Sequence, residues 1–303
     1  MIQTENLTKK FGNLTAVEDL SLHVRPGEVF GFLGPNGAGK TTTVRMLTTL
    51  IGPTSGTATV NGFRVGQNDT DIRRCTGILT ETPGMYDRLS AEKNLTIFAH
   101  LYEVADVKGQ VEKYLRFLGL WDRRADLVGN FSKGMKQKLA ICRALLHEPA
   151  LVFLDEPTSG LDPEAARLVR DFIAEIKTQG RTIFFCTHNL DEADRLCDRI
   201  GVIKQRMITV DTPANLRQKL YGRKVVFHLR EADDALLARV REVPFIKEAQ
   251  RVDNKLVLGL DDPETHNPAL VRLLVEAGAD IQFVGELRHS LEDVYLSLVG
   301  STD

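Results

Sequence analysis

Short apolar runs alternate with amphipathic segments over the first two thirds of the chain. The runs at 29–34, 151–157 and 181–189 are rich in β-branched and aromatic residues, which is typical of strands buried on both faces of a parallel sheet. Helical periodicity lies between them, at Leu95–Tyr102, Val111–Leu118, Lys136–Leu146 and Glu164–Lys177. Asp162 is expected to cap the last of these helices. Earlier, residues 16–24 alternate apolar and polar side chains and predict a half-exposed antiparallel strand. The pattern predicts an α/β domain with a mainly parallel sheet.

The last part of the chain has a different order of elements. Strand and helix patterns from residue 224 to residue 288 follow the order β-α-β-β-α-β, with a hairpin turn at Asp253-Asn254, and a final amphipathic segment follows at 291–299. This order predicts a small α+β domain of the ferredoxin-like kind. Charge changes as well, because residues 1–220 carry 29 basic and 26 acidic residues whereas 221–303 carry 10 and 15. We therefore predict two domains, 1–220 and 221–303.

Composition excludes several classes of protein. The chain has 303 residues, 43% of them hydrophobic, and a net charge of −2, which gives no reason to expect a nucleic-acid partner. No apolar stretch approaches the roughly 18 residues of a membrane span, and the first residues have no signal-peptide core. The four cysteines have no CxxC or metal spacing. We expect a cytoplasmic protein with reduced thiols, and neither a secreted nor a membrane-embedded one.

The segment 34–41, Gly-Pro-Asn-Gly-Ala-Gly-Lys-Thr, fits the phosphate-binding pattern G-x-x-x-x-G-K-[ST]. It follows a predicted strand and opens a predicted helix, as this motif requires, which makes a chance glycine-rich turn a poor explanation. Glycines let backbone N–H groups approach a phosphate, and the helix N-terminus favours negative charge. We expect Lys40 to reach the β- and γ-phosphates and the Thr41 hydroxyl to ligate Mg²⁺. The candidate nucleotide-binding residues here are Asn36, Gly37, Ala38, Gly39, Lys40, Thr41 and Thr42.

Two carboxylates end the apolar run at 151–157. Asp155 and Glu156 would lie at the carboxyl end of a parallel strand, where such sheets bind ligands. Asp155 is then placed to hold Mg²⁺ through water, and Glu156 to polarise an attacking water. The alternative is a solvated strand end, and the upstream phosphate loop favours the functional interpretation.

A further motif, Phe131-Ser132-Lys133-Gly134-Met135, precedes an amphipathic helix and lies before the acidic pair. A Ser-x-Gly at a helix start is by itself compatible with a simple N-cap. In this order and spacing with the two other motifs, residues 2–220 resemble the nucleotide-binding subunits of ATP-binding cassette (ABC) transporters. The resemblance implies a P-loop ATPase fold with a mainly parallel sheet, an antiparallel N-terminal sheet and a helical subdomain.

The resemblance also implies roles for individual residues. Phe11 is similar to the aromatic residue that stacks on adenine in this family, and a core phenylalanine is the alternative interpretation. Residues 159–162, which end in Asp162, resemble the D-loop. His188, at the end of the next strand, resembles the switch histidine that contacts the γ-phosphate. Glu156, His188 and Lys40 are the expected catalytic residues, and Ser132, Gly134 and Asp162 join the ATP-binding set.

Two positions depart from the family pattern. The usual Leu-Ser-Gly-Gly-Gln is replaced by the sequence at 131–135, which brings in Lys133 and Met135. Glu81 stands where the family has a glutamine that meets Mg²⁺. Its carboxylate still offers an oxygen to the metal, so Thr41, Glu81 and Asp155 form the expected metal set. In these variants and in its C-terminal extension, the chain resembles the branch of the family whose membrane partners are ABC-2 type permeases.

The resemblance implies ATP with Mg²⁺ as ligands and a homodimer with ATP between the two copies. It also implies a separate transmembrane permease, contacted through the segment around residues 81–86, that holds the chain at the inner face of the membrane. The expected function is to power an ABC-2 type exporter. The alternatives are a soluble regulatory ATPase of the same superfamily and a nucleotide-binding scaffold without turnover. Residues 221–303 are either a packing or dimer-stabilising appendage or a regulatory domain.

Overall fold

The computed structural model describes residues 1–80, 84–287 and 290–300, and the chain divides into two compact units, Met1–Thr212 and Pro213–Asp303. The predicted boundary at residue 220 lies near the end of helix Pro213–Tyr221, which belongs to the second unit. Tyr221 Oη, at the end of that helix, donates a hydrogen bond to the Asp293 carbonyl at 2.8 Å.

The strands of the first unit form two sheets. They are β1 Ile2–Phe11, β2 Leu14–Val24, β3 Val29–Leu33, β4 Ser55–Val60, β5 Phe63–Arg64, β6 Thr76–Leu79, β7 Leu151–Asp155, β8 Thr182–Thr187, β9 Arg199–Lys204 and β10 Arg206–Asp211. Among the described residues, the larger sheet has the order β10-β9-β3-β8-β7-β6, and the smaller one has the order β2-β1-β4-β5. The larger sheet is parallel except for its edge strand β10. The smaller sheet is antiparallel. The predicted mixed α/β architecture is confirmed.

The helices of the first unit connect these strands. They are α1 Lys40–Leu47, α2 Asp69–Cys75, α3 Ala91–Leu101, α4 Val107–Phe117, α5 Lys133–Leu145, α6 Pro163–Thr178 and α7 Leu190–Leu196. Several begin at a side-chain cap that accepts a hydrogen bond from a first-turn N–H, which satisfies a donor that the helix leaves unpaired. Asp162 caps α6 in this way, as predicted, through the N–H of Ala165 at 2.8 Å.

The core of the first unit lies against the centre of the parallel sheet. Strands β3, β7 and β8 are buried at every residue. Phe184 packs between Phe32 and Phe153, with ring centroids 5.1 and 5.5 Å away. Strands buried on both faces fix their pairing tightly, because a slip would break the packing on each face. The ends of β3, β7 and β8, which carry the predicted site residues, are therefore held at fixed positions.

The second unit contains the predicted β-α-β-β-α-β order between two further helices. Its elements are α8 Pro213–Tyr221, β11 Lys224–Leu229, α9 Asp234–Arg241, β12 Glu248–Val252, β13 Lys255–Gly259, α10 Pro263–Glu276, β14 Ile281–Leu287 and α11 Leu291–Gly300. The antiparallel sheet has the order β12-β13-β11-β14. Phe227, Leu256 and Leu270 belong to its own hydrophobic core, so this unit has the interior of a separate domain.

Thiol accessibility gives a test of this packing. Cys142, Cys186 and Cys197 are buried and only Cys75 is partly exposed, and burial is the largest cause that raises the pKa of each buried thiol. Burial raises the pKa of the Cys75 thiol as well, but Cys75 is the thiol that a reagent can reach, so we expect an aromatic disulfide reagent at neutral pH to modify Cys75 alone in the folded chain. All four cysteines should react after unfolding. Rapid modification of a second thiol in the folded protein would contradict the packing described here.

Candidate functional site

The segment between β3 and α1 wraps as a tight loop, and two of its glycines have no room for a side chain. A Cβ atom on Gly34 would collide with the Ile203 carbonyl oxygen, and one on Gly39 would lie 2.5 Å from that of Ala16. Gly39 also has a φ of 99°, and it precedes the first residue of α1. The loop ends at a helix N-terminus without acidic residues in its first turn. This combination of free N–H groups and positive dipole favours a bound phosphate.

Lys40 begins helix α1 and lies buried within the loop. Its Nζ donates to the Gly34 carbonyl at 2.6 Å and to the Pro35 carbonyl at 3.4 Å. The ammonium group therefore lies across the loop, held by carbonyl oxygens and without an ion pair among the described residues. A cation placed in this way is available to a polyanionic phosphate chain at the loop.

The end of β7 approaches the start of α1. Thr41 Oγ1 donates a hydrogen bond to Asp155 Oδ2 at 3.0 Å, and Asp155 is 6% exposed. A hydroxyl and a carboxylate are the kinds of oxygen that Mg²⁺ takes when phosphates and waters complete its coordination. The two side chains next to a phosphate loop thus fit a magnesium ion bound with a nucleotide. Glu81, the third predicted metal ligand, lies outside the described residues.

Glu156 and His188 meet at the ends of adjacent strands. His188 Nδ1 lies 2.8 Å from Glu156 Oε2, and because an ionised carboxylate only accepts, the imidazole donates this bond. Glu156 has a φ of 49°, and its N–H donates to the Cys186 carbonyl of β8 at 2.9 Å. The carboxylate side chain is 13% exposed and the imidazole 66% exposed. A carboxylate held by a second polar group thus lies next to the Thr41–Asp155 pair.

The thiol of Cys186 lies within this group of charged residues. Burial is the largest cause that raises its pKa, followed by the negative charge of Asp155. The thiol is therefore neutral at physiological pH.

A cleft of about 280 Å³ brings the phosphate loop and Phe11 together. Its walls come from β1 and β2, the loop, the start of α1 and the turn between β9 and β10, and include Phe11, Leu14, Thr15, Ala16, Pro35, Asn36, Gly37, Ala38, Gly39, Lys40, Thr41, Thr42 and Gln205. Phe11 is 49% exposed, so it is not a core residue, and its ring offers a flat face beside the loop. Such a ring can stack on a nucleotide base.

Ser132, Gly134 and Asp162 form a second group. Ser132 caps α5 by accepting from the Met135 N–H at 3.2 Å, and a Cβ on Gly134 would lie 4.0 Å from Asp162 Oδ2. Among the described residues, no hydrogen bond joins Ser132 or Gly134 to the phosphate loop. One chain thus presents two separate sets of predicted ATP-binding residues.

The substituted position Lys133 lies next to Gly160. A Cβ on Gly160 would collide with Lys133 Nζ, and Gly160 has a φ of 64°. The lysine amine therefore lies against a residue whose backbone conformation favours glycine. This contact joins the 131–135 motif to the segment that follows Glu156.

The structure also brings in two residues that the sequence analysis missed. Gln137 of α5 is buried, and its Nε2 donates to the Pro157 carbonyl at 2.8 Å. Glu192 of α7 is 3% exposed, and its Oε2 accepts from Thr158 Oγ1 at 2.7 Å. Both are polar residues at buried helical positions, where an apolar residue is the usual choice. That interruption of the apolar pattern is the signal that would have identified them.

In the part of the chain that the structure describes, no helix is both long and apolar enough to cross a bilayer. No cluster of three or more His, Cys, Asp or Glu side chains forms a separate metal site within the same residues.

Comparison with known proteins agrees with this geometry. The family model described as ABC transporter matches residues 17–159. The bacitracin transport ATP-binding protein BcrA of Bacillus licheniformis is 36% identical over 301 residues, which cover 99% of this chain and 97% of that protein. The linearmycin resistance ATP-binding protein LnrL of Bacillus subtilis is 32% identical over 310 residues, with 100% and 99% covered. A fluoroquinolones export ATP-binding protein of Mycobacterium tuberculosis is 40% identical over 228 residues, 74% of this chain and 75% of that one.

Solved structures give the same result. An ATP-binding subunit of an ABC transporter superposes with a TM-score of 0.67 at 32% identity and covers 73% of this chain and 94% of its own. A dimeric ATP-binding cassette, solved in a post-hydrolysis state with ADP and phosphate, shares the fold with a TM-score of 0.64 at 23% identity, over 70% of this chain and 98% of that one. With a relative above 30% identity aligned over nearly the whole length of both proteins, this chain belongs to the family of ABC transporter ATP-binding proteins.

Proposed function

We propose that this chain hydrolyses ATP to drive an exporter, with the 34–41 loop and the two paired carboxylates as its chemical centre. One observation supports this most directly. Asp155 and Glu156 are consecutive residues, yet one bonds Thr41 of the phosphate-loop helix and the other bonds His188, which follows the neighbouring strand β8. A metal-binding carboxylate and a base are thereby set side by side at a phosphate site, which is the arrangement that hydrolysis of a phosphate chain requires.

Each residue has a stated part in this chemistry. The loop N–H groups and Lys40 bind the phosphate oxygens and stabilise the charge that develops on them. Thr41 and Asp155 would hold Mg²⁺, which neutralises phosphate charge when bound. Glu156 orients the attacking water and takes its proton on the carboxylate, while the bond between the γ-phosphorus and the bridging oxygen breaks. His188 holds Glu156 through Nδ1 and is placed to support the γ-phosphate with its other ring nitrogen.

The second group of residues points to a dimer. Ser132 and Gly134 lie at the start of α5 and, within the described part of the chain, make no hydrogen bond to their own phosphate loop, so we assign them, with Asp162, to a nucleotide held by a second copy. Phe11 stacks on the base at the other end of the nucleotide. The superposed cassette in its post-hydrolysis state is described as dimeric, which supports the same arrangement here. ATP between two copies then holds the dimer closed, and hydrolysis opens it.

Relatives support the export role. BcrA is a bacitracin transport protein, LnrL acts in linearmycin resistance, and the mycobacterial relative exports fluoroquinolones. We propose a separate transmembrane permease as the partner, which holds this chain at the inner face of the membrane. A soluble regulatory ATPase and a scaffold without turnover are the alternatives, and neither has a counterpart among these relatives.

The test is an ATPase assay on the purified chain, alone and reconstituted with a candidate permease taken from the neighbouring genes. The proposal expects turnover in both samples, with a rate that the permease and its drug substrate change. An ATPase rate that the permease does not change would favour the regulatory alternative. ATP binding without turnover in either sample would favour the scaffold.

The second unit is proposed to be an accessory domain. All described candidate residues lie in Met1–Thr212, and the second unit has its own core. We therefore expect a chain that ends at Thr212 to bind and hydrolyse ATP, measured as a steady-state rate against the full-length protein. A folded truncated chain that no longer binds ATP would contradict this assignment. A changed rate with binding intact would indicate the regulatory role instead.

A further inference from the structure

Residues 156–161, the segment between the metal-binding carboxylate and the cap of α6, are held from three sides. The Glu156 N–H donates to the Cys186 carbonyl of β8 at 2.9 Å. Gln137 of α5 donates to the Pro157 carbonyl at 2.8 Å. Thr158 Oγ1 donates to Glu192 of α7 at 2.7 Å. We call residues 156–161 the catalytic segment, because the proposed base is its first residue.

Glu192 is the charged member of this arrangement. Its side chain is 4% exposed, whereas that of its partner Arg170 on α6 is 28% exposed, and Arg170 Nη1 lies 3.0 Å from Glu192 Oε1. The other carboxylate oxygen, Oε2, accepts from Thr158. Both oxygens are thus used, one by α6 and one by the catalytic segment. The Glu192 N–H is also bound, to the Asn189 side chain that caps α7, at 3.2 Å.

These contacts close a ring around the proposed base. His188 precedes α7, and Glu192 lies one helical turn after it. Glu156 and Thr158 lie two residues apart in the catalytic segment. One hydrogen bond joins the two chain segments through His188 and Glu156 at 2.8 Å, and a second joins them through Glu192 and Thr158 at 2.7 Å. A displacement of α7 relative to the catalytic segment therefore strains both bonds together.

Stability alone is a poor reason for a carboxylate at this position. Burying an ion pair costs desolvation that the attraction between its charges barely offsets, and well-packed apolar residues are often as stable or more so. An apolar side chain at residue 192 could pack at this buried position, but it would leave the Thr158 hydroxyl without this acceptor. The directional bond to the catalytic segment is what the carboxylate adds.

We propose that Glu192 is a positioning residue, which fixes Thr158 and so keeps Glu156 in reach of both His188 and the attacking water. This inference rests on the proposed role of Glu156 in ATP hydrolysis. It predicts that loss of the Thr158–Glu192 bond slows turnover and leaves nucleotide affinity unchanged, because neither residue lines the cleft at the phosphate loop.

The test uses the full-length chain with single substitutions at both ends of the bond. Thr158→Val keeps the shape and removes the hydroxyl, and we expect it to lower kcat about tenfold with KM for ATP within about twofold. Thr158→Ser restores the hydroxyl and should return kcat to within about twofold of the wild type. Glu192→Leu removes both acceptor oxygens and should lower kcat like Thr158→Val. The double variant should be no worse than the poorer single one, because both remove the same contact.

The matched control is Lys177→Gln, which breaks another ion pair of the same helix α6, Lys177 to Asp198 at 2.6 Å. It should lower the melting temperature and leave kcat unchanged, since it does not touch the catalytic segment. The inference is overturned if Thr158→Val turns over ATP as the wild type does, if Thr158→Ser falls as far as Thr158→Val, or if the losses in the double variant multiply. A wild-type chain that hydrolyses no ATP would instead remove the proposed function itself, and this inference with it.

Discussion

Glu156→Gln is expected to bind ATP like the wild type and to hydrolyse it about a thousandfold more slowly, the usual scale for loss of a positioned base. Glutamine has the shape of glutamate, and its carbonyl oxygen can still accept the hydrogen bond from His188 Nδ1. The amide cannot take a proton from water. Steady-state phosphate release gives the rate, and equilibrium titration with a fluorescent ATP analogue gives the affinity.

The same variant tests the proposed dimer. If ATP between two copies holds them together, Glu156→Gln with ATP and Mg²⁺ should elute as a dimer in size-exclusion chromatography and as a monomer with ADP. Glu175→Gln on the exposed face of α6 is the matched control, because it makes the same chemical change away from the site. Wild-type turnover in Glu156→Gln would show that another group acts on the water.

Gly39→Ala is the second change with a large expected effect, and it acts through the backbone. A residue with a side chain at a φ of 99° is strained, at a cost of about 1–2 kcal/mol in folding free energy for left-handed conformations. The added Cβ would also lie 2.5 Å from the Ala16 carbonyl and 2.9 Å from Val17 Cγ2, so the loop must shift. Because misplacing binding groups by about 1 Å costs on the order of 100-fold in function, we expect ATP affinity to fall by at least about that factor.

Gly62→Ala separates the strain from the collision. Gly62 has a φ of 82°, and a Cβ atom added there would have nothing within 4 Å. This glycine lies in the turn before β5, and it is not among the residues that line the cleft. In chemical denaturation the variant should have a lower free energy of unfolding, by the conformational cost alone. Its ATP affinity should equal that of the wild type. If Gly39→Ala bound ATP as tightly as Gly62→Ala, the loop described here would not be the phosphate site.

The helices illustrate how far the sequence pattern reaches. Helices α3, α4 and α5 each begin three or four residues before the predicted start, because their first turns are polar and carry no apolar periodicity. Ser90, Asp106 and Ser132 cap these helices with side-chain hydrogen bonds. A search for cap residues, rather than for apolar spacing alone, would have placed the starts correctly.

The pattern of apolar residues could not predict the order of the strands or the side-chain pairs, for a different reason. Strand β8 lies between β3 and β7, an arrangement set by contacts between residues far apart in sequence. The motifs predicted Glu156 and His188 separately, but their bond depends on the register that pairs Asp155 with Cys186. The Thr158–Glu192 bond depends on the same register and on α7, which the apolar pattern did not predict.

The left-handed backbone at Glu156 has a consequence for engineering. Its φ of 49° is a conformation that glycine and asparagine adopt at lower cost than glutamate, by about 1–2 kcal/mol for glycine. Selection of a library for heat resistance alone would therefore enrich replacements at this position. On the role proposed for Glu156, those replacements would be inactive, so a programme that seeks a thermostable form of this protein should hold residue 156 fixed, because the gain in stability and the loss of activity would come from the same residue.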